Sequence, residues 1–226
     1  MRNRLLYPLL ALAGALCVLS FAPLEWPVFI VAALAALFWS FHTAPSAKHA
    51  ALRGFAFGLG YFVANVHWVY ISMHDFGGMP GWMAAGCVLA FAAYLALFPA
   101  LAGWLSRRLP CPQSLRLPLL IPAVFVLAEW LRGWLFSGFP WAGIGTSQVV
   151  PLAGWFPLAG VYGVGALLAL GSALLVWQWK KGLAFIALTV LASLALERID
   201  WTRPVGKPLG VSLVQGGIPQ SERWDM

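Results

Sequence analysis

Long apolar segments alternate along the chain with short connections that are polar or rich in Gly and Pro. Seven such segments are present, at residues 5–22, 27–41, 52–72, 82–104, 117–136, 158–179 and 182–198. A helix needs about 20 apolar residues to cross the hydrocarbon layer of a bilayer. The pattern therefore predicts an all-α membrane bundle of about seven transmembrane helices, which occupies residues 1–200.

The amino-acid composition supports a membrane location. Hydrophobic residues make up 62% of the chain and charged residues 9%, whereas a soluble domain is about 25% charged. A net charge of +7 raises the question of nucleic acid binding, but the basic residues occur singly or in pairs between apolar runs. We therefore predict contact with membrane lipid and no nucleic acid partner.

Basic residues occur in every second connection. They lie before the first segment and around the connections after the second, fourth and sixth: Arg2, Arg4, Lys48, Arg53, Arg107, Arg108, Arg116, Lys180 and Lys181. Connections rich in Lys and Arg stay in the cytoplasm, so the N-terminus is predicted to be cytoplasmic. Seven spans then place the C-terminus on the opposite side, together with three connections rich in Gly, Pro and Trp.

The longest of these three connections begins with two charged residues. Glu129 and Arg132 are the only charges in residues 117–179, and their spacing puts them on one helical face. A charge near hydrocarbon costs a few kcal/mol unless it is paired or reaches water. Together with Trp141 and Gln148 further along the connection, the pair is either part of a functional site or an interfacial ion pair that fixes the helix end.

The other two connections on that side, residues 20–27 and 72–81, are also irregular. Such backbone is tolerated at membrane depth where protein or a water-filled cavity covers it, so the three connections together predict the mouth of a cavity. Their Trp residues also fit an interfacial aromatic belt. His74 and Asp75, adjacent in the second connection, are either an acid/base pair or solvated loop residues.

Some polar and reactive residues receive no chemical role. The three cysteines have neither metal-ligand nor disulfide spacing, and we predict no metal site and no cofactor. They are Cys17, Cys87 and Cys111. Gly54 and Gly58 form a small-residue face for close helix packing, and Asn65 and His67 are interpreted as polar groups that hold helices together.

The character of the chain changes after residue 200. Residues 203–208 have the Pro and Gly content of a linker, and residues 209–215 are a short Val-rich run typical of a β-strand. A single strand is not a domain. Residues 201–226 are therefore predicted to be a linker and the first strand of an α/β domain. That strand pairs either with another chain or with the continuation of a longer protein.

Five segments, taken in order, resemble one protein family. They are residues 20–23, 68–77, 129–141, 160–164, and 211–220 followed by Trp224. Together they extend over nearly the whole chain and are similar to the apolipoprotein N-acyltransferases of Gram-negative bacteria. The resemblance implies a multi-pass bundle in the bacterial inner membrane. It also implies that a nitrilase-like domain, related to carbon–nitrogen hydrolases, is joined to this bundle on the periplasmic side.

The resemblance also implies a reaction. In that family an acyl chain moves from a phospholipid to the α-amino group of the diacylated N-terminal Cys of a lipoprotein. A Cys thiolate forms a thioester, with a Glu as general base and a Lys that stabilises the oxyanion. These three residues belong to the nitrilase-like domain, of which this sequence matches only the first strand and turn, about Leu209 to Met226. They are therefore expected beyond Met226, so no catalytic residue is assigned to this chain, and we expect it to be inactive alone.

Other residues are assigned by the resemblance to the surroundings of the reaction. Trp224 lies in a segment that the family uses near its active site. The candidates for a lipid platform and entrance are Glu129, Arg132, Trp141, Gln148, His74 and Asp75. An alternative function is a non-catalytic lipid-binding or anchoring module that docks a separate soluble partner. A small transporter is less favoured, because the sequence shows no internal repeat.

Overall fold

The structure is a computed structural model and describes residues 5–207 and 209–217. These residues contain seven helices of at least 11 residues. They are α1 (Leu6–Leu16), α2 (Pro27–His42), α3 (Ala47–Val66), α4 (Gly81–Arg108), α5 (Gln113–Arg132), α6 (Phe156–Trp177) and α7 (Trp179–Leu196). Each helix covers one of the seven apolar segments, and these described ranges contain no β-strand. The predicted all-α bundle is thus confirmed.

The helices differ in how well they fit a bilayer. Among the described residues, 4 helical stretches are long and apolar enough to cross a membrane, and they correspond to α4, α5, α6 and α7. Helix α2, and α1 with the turn that follows it, are apolar but shorter. Helix α3 has 20 residues but carries Lys48, His49 and Arg53 near its start. Together with the composition, these helices make the chain a membrane protein.

Local sequence signals explain where several helices begin. Pro27 and Pro157 stand in the first turns of α2 and α6, where a backbone N–H has no helical partner to lose. The Ser46 side chain accepts a hydrogen bond from the backbone N–H of His49 and caps α3. Because these signals act within a few residues, they are readable in the sequence.

Small residues bring α3 close to both α1 and α4. A Cβ atom at Gly54 would overlap the carbonyl oxygen of Pro99 in α4, and one at Gly58 would lie 2.7 Å from the Pro99 ring. In the same way, a Cβ atom at Gly60 would overlap the carbonyl oxygen of Ala11 in α1. The close helix packing predicted for the face of Gly54 and Gly58 is therefore present.

The connections divide between two ends of the bundle. One end, here called the loop end, carries residues 17–26, 67–80 and 133–155. The other end, here called the basic end, carries the connections from α2 to α3, α4 to α5 and α6 to α7. The acidic residues of the described ranges lie at the loop end: Glu25, Asp75, Glu129, Glu197 and Asp200. The predicted separation of charge is present in the fold, while its orientation in a membrane stays a prediction.

The last described residues do not form the predicted strand. Residues 209–215 have no regular secondary structure, and the side chains of Leu213 and Val214 are 95% and 93% exposed. A β-strand needs a partner for its backbone groups, and residues 5–207 contain no strand that could pair with it. The assignment of residues 201–226 to a second domain stays a prediction.

Candidate functional site at the loop end

Glu129 and Arg132, in the last turn of α5, form a buried ion pair. Nη2 of Arg132 lies 3.5 Å from Oε1 of Glu129, and the Arg132 and Glu129 side chains are only 3% and 8% exposed. The same Glu129 oxygen accepts a hydrogen bond of 2.7 Å from the backbone N–H of Ile144. Both charges therefore have partners inside the protein, as buried charges require.

Arg132 also holds the connection that follows α5. Its Nη1 group donates hydrogen bonds to the backbone carbonyls of Phe139 and Trp141, the second at 2.8 Å. The guanidinium also lies over the Phe62 ring of α3, 5.1 Å from the ring centroid. The ion pair thus fixes the conformation of residues 133–148, which we call the 133–148 loop.

The backbone of this loop needs such support. Phe136, Ser137 and Ala142 have positive φ angles of 51°, 77° and 53°, a region that costs about 1–3 kcal/mol for residues with a side chain. Tyr61 of α3 supplies a further contact, because its hydroxyl donates a hydrogen bond of 2.7 Å to the carbonyl of Ala142. Contacts from α3 and α5 therefore hold a conformation that the loop would not keep by itself.

This geometry bears on the two interpretations of the ion pair. The Arg132 guanidinium is only 3% exposed, pairs with one carboxylate and donates to two carbonyls, so little of it is accessible to a substrate. In the structure, Glu129 and Arg132 position the 133–148 loop, which agrees with an ion pair that fixes the helix end.

A cavity of about 680 Å³ opens at the loop end. The end of α3, the turn after α1 and the 133–148 loop form its walls. The polar lining residues are Asn65, His67 and Thr146, and the apolar ones include Phe21, Trp68 and Trp141. The predicted cavity mouth is confirmed for the connections at 20–27 and 133–148, whereas residues 72–81 do not line it.

Trp141 is the predicted site residue that reaches this cavity. Its ring packs against that of Trp68, with 5.4 Å between the centroids, and the side chain is 55% exposed. Because Arg132 holds the Trp141 carbonyl, the ion pair sets where this indole lies. Glu129, Arg132 and Trp141 are thus brought together by the fold.

The structure separates the other predicted site residues from this group. Gln148 is buried, donates a hydrogen bond of 3.0 Å to the Ser147 hydroxyl and lines a second, smaller cavity of about 50 Å³. Nδ1 of His74 lies 2.7 Å from the carbonyl of Met79. Asp75 is exposed and makes no ion pair within the described ranges.

Two of the predictions concern the end of the chain. Trp224 is assigned to the surroundings of the reaction, and the Glu, Lys and Cys of the family are expected beyond Met226. Trp224 and Met226 both lie outside the described residues. The structure therefore tests neither assignment, and both stay predictions.

Asn65 and His67 line the cavity, which the sequence interpretation missed. The amide of Asn65 donates to the carbonyl of Tyr61, and the His67 ring contacts the carbonyl of Ala64, both within the same stretch of chain. These side chains therefore do not hold two helices together through those bonds, and that interpretation was wrong. Their position in the sequence could have predicted this location, because both are polar residues at the end of an apolar helix, next to the irregular connections.

Metal ligation has no support in the described ranges, 5–207 and 209–217. No group of at least 3 His, Cys, Asp or Glu side chains is close enough there to hold an ion. The three cysteines are free thiols, and Cys17 is fully buried while Cys87 is exposed. The chemistry that this end of the bundle offers is a mainly apolar cavity with a few polar groups, an arrangement typical of sites for small or lipid-like molecules.

Comparison with models of protein families identifies the family of this chain. The sequence model of the apolipoprotein N-acyltransferase N-terminal domain matches residues 13–174. The chain belongs to the apolipoprotein N-acyltransferase family. The matched range includes the ion pair, the 133–148 loop and every cavity residue named above, so the candidate site lies within the part of the chain that defines this N-acyltransferase domain.

Curated relatives extend the comparison beyond the domain. The apolipoprotein N-acyltransferase of Ralstonia nicotianae is 44% identical over 99% of this chain and 44% of its own length. Those of Chromobacterium violaceum and Methylococcus capsulatus are 42% and 44% identical, over 99% and 96% of this chain. The chain spans about 44–45% of the length of these N-acyltransferases.

Proposed function

We propose that this chain forms the membrane platform of an apolipoprotein N-acyltransferase. The enzyme would transfer an acyl chain from a phospholipid to the α-amino group of the diacylated N-terminal Cys of a lipoprotein. The observation that carries the proposal is the coincidence of the cavity at the loop end with the domain matched over residues 13–174. An acyl chain and a polar headgroup fit a cavity with apolar walls and a few polar residues.

The chemistry requires a nucleophile, and none of the cysteines in the described residues lines the cavity. A thiolate attacks the phospholipid ester, so that a thioester forms and the lysophospholipid leaves; the lipoprotein amine then attacks the thioester, forms an amide and releases the thiol. Cys17 is a poor candidate because it is fully buried and its thiol donates to the carbonyl of Ala13. We assign the nucleophile, the general base and the oxyanion Lys to a nitrilase-like domain beyond the bundle.

A chimera tests this function. The chain up to residue 215 is joined to the matching remainder of the Ralstonia nicotianae relative, purified in phospholipid micelles and incubated with a diacylated lipopeptide. We expect mass spectrometry to detect N-acylated lipopeptide with the chimera and none with this chain alone. Product from the chain alone would refute our assignment of the nucleophile. If the chimera is inactive while the Ralstonia protein is active, the proposal that this chain forms the membrane platform is refuted.

We expect the phospholipid acyl donor to bind in the cavity. In the chimera, Ala64→Trp places an indole in the cavity wall, and we expect the KM for phospholipid to rise by about tenfold, which corresponds to about 1.4 kcal/mol of lost binding. Ala90→Trp, at an exposed position of α4, is the control and should leave the KM unchanged. Steady-state rates at varied phospholipid concentration measure both KM values. If the two values are equal, the cavity does not bind the phospholipid.

The localisation proposed here is the bacterial inner membrane, with the N-terminus in the cytoplasm and the loop end in the periplasm. It rests on the basic residues at the opposite end of the bundle. An alkaline phosphatase fused after Asp200 is expected to be active, and a phosphatase fused after Ser46, at the basic end, inactive. The reverse pattern would place the cavity in the cytoplasmic leaflet and exclude a periplasmic reaction.

A second function, an anchoring module for a separate soluble protein, is favoured by one observation. Residues 209–214 expose several apolar side chains, among them Leu209 and Val211 at 87% and 76%. Such a segment would gain from a partner. Co-purification of this chain with a separate nitrilase-like protein, combined with an inactive chimera, would support this function over the first.

A further inference from the structure

At the basic end, three guanidinium groups are held at the C-terminal turns of α2 and α4. Each donates a hydrogen bond to a backbone carbonyl in one of these turns: Arg53 to Ser40, Arg107 to His42, and Arg116 to Ser106, at 2.5, 3.2 and 2.5 Å. Basic side chains near the last carbonyls of a helix also interact favourably with its dipole. These arginines are therefore fixed in place rather than free in solvent.

The charges at this end have no acidic partner in the described ranges. Every acidic residue described there lies at the loop end, whereas the basic end carries four more cations: Lys48, Arg108, Lys180 and Lys181. Arg53 is only 6% exposed. A buried cation without a counter-ion is costly, so an anion bound at this end would stabilise the fold.

Hydrogen-bonding capacity is also left over at the basic end. Nε of Arg53, Nε of Arg116 and Nδ1 of His42 are buried and have no hydrogen-bond partner among residues 5–207 and 209–217. Buried polar groups normally have one. The bond from Arg107 of α4 to the carbonyl of His42 in α2 joins the two helix ends that carry these side chains, so we treat them as one group.

We propose that His42, Arg53, Arg107 and Arg116 bind the phosphate headgroup of an anionic phospholipid. A phosphate brings negative charge and several acceptor oxygens, and it matches the donor geometry of guanidinium groups. Basic pockets between membrane helices bind such headgroups. The helix ends that carry this group place it at the boundary between membrane and water.

The surroundings of the group fit a lipid better than a free anion. Trp39, Trp104 and Leu109, on the same ends of α2 and α4, have exposed apolar side chains at 52%, 41% and 38%. They offer a surface on which acyl chains would lie. This site is at the opposite end of the bundle from the cavity and does not depend on the proposed function.

Native mass spectrometry of the detergent-purified chain tests the proposal. We expect one phosphatidylglycerol molecule to be retained in preference to phosphatidylethanolamine. Because each basic residue near an anionic lipid contributes about a fivefold gain in binding, Arg107→Gln/Arg116→Gln should weaken phosphatidylglycerol binding by about 25-fold. The control, Lys180→Gln/Lys181→Gln, removes the same charge from exposed positions at the same end. It should change binding less than about twofold, because these ammonium groups lie over the rings of Trp179 and Trp177 and the attraction falls off with distance from the lipid.

Several results would overturn the site. Equal losses in the arginine and lysine variants would indicate a diffuse positive surface. If the unmodified chain shows no preference for phosphatidylglycerol, the site is also refuted. This measurement needs no variant, so it holds even if the arginine variants do not fold. Thermal unfolding separates the sources of phosphate: phosphatidylglycerol should raise the Tm and inorganic phosphate should not. An equal rise with both would assign the site to a free anion.

Discussion

Arg132→Ala is expected to destabilise the protein by about 3–5 kcal/mol and to release the 133–148 loop. The energy follows from removing one partner of a buried ion pair, which leaves the Glu129 carboxylate without its cation. The release follows from losing the hydrogen bonds to the carbonyls of Phe139 and Trp141. Thermal unfolding in detergent measures the first effect.

A thiol at position 144 measures the second effect. Ile144 is only 2% exposed, so Ile144→Cys should react slowly with a maleimide when Cys87 and Cys111 are replaced by Ser. Adding Arg132→Ala should make it react quickly, whereas Arg108→Ala, an exposed arginine, should not. If labelling and Tm are the same in the Arg132 and Arg108 variants, Arg132 does not hold the loop.

A double variant separates charge from support of the loop. Glu129→Leu/Arg132→Ala removes both charges, so no uncompensated carboxylate remains, and part of the lost stability should return. The bonds from Arg132 to the loop are still absent, so the thiol at 144 should stay reactive. In the chimera, the single and the double variant should lose acyl transfer to a similar extent, because both lack the hydrogen bond that positions Trp141.

The sequence was sufficient for the helices and for the importance of this pair, but not for what the pair does. Helix positions depend on apolar runs and on local signals such as Pro27 and Ser46. A lone pair of charges in an apolar stretch is equally visible. The partners of Arg132 lie seven and nine residues further on in a loop with positive φ angles, and no local rule predicts which carbonyls such a loop turns inward.

Long-range placement also explains the remaining differences. Gln148 and Trp141 belong to one predicted stretch, yet the fold buries the first and exposes the second. His74 and Asp75 are neighbours in sequence, but His74 contacts Met79 instead. Both residues lie in the short helical segment Ser72–Phe76, where consecutive side chains do not face each other, so the partner of His74 depends on the turn that follows.

Gly54→Ala is expected to have the second large effect, a loss of about 3 kcal/mol in the free energy of unfolding. The added methyl group would overlap the backbone carbonyl of Pro99 and lie 3.0 Å from Cα of Ala100. Neither backbone atom can move away as a side chain would, so α3 and α4 must separate. Forced overpacking costs about 1–3 kcal/mol, and contact with backbone places this variant at the upper end of that range.

Gly86→Ala distinguishes close packing from the general effect of replacing a helical glycine. Gly86 also lies in a membrane helix, but a Cβ atom there meets nothing within 4 Å, and Ala is favoured over Gly in a helix by about 1 kcal/mol. This control should therefore leave the Tm unchanged or raise it, while Gly54→Ala lowers it. Because Gly54 lies at the contact of α3 with α4 and Tyr61 and Phe62 further along α3 support the 133–148 loop, a shift of α3 should also expose the thiol at position 144. Equal Tm values for the two alanine variants would mean that α3 and α4 do not meet as closely as the glycine contacts require.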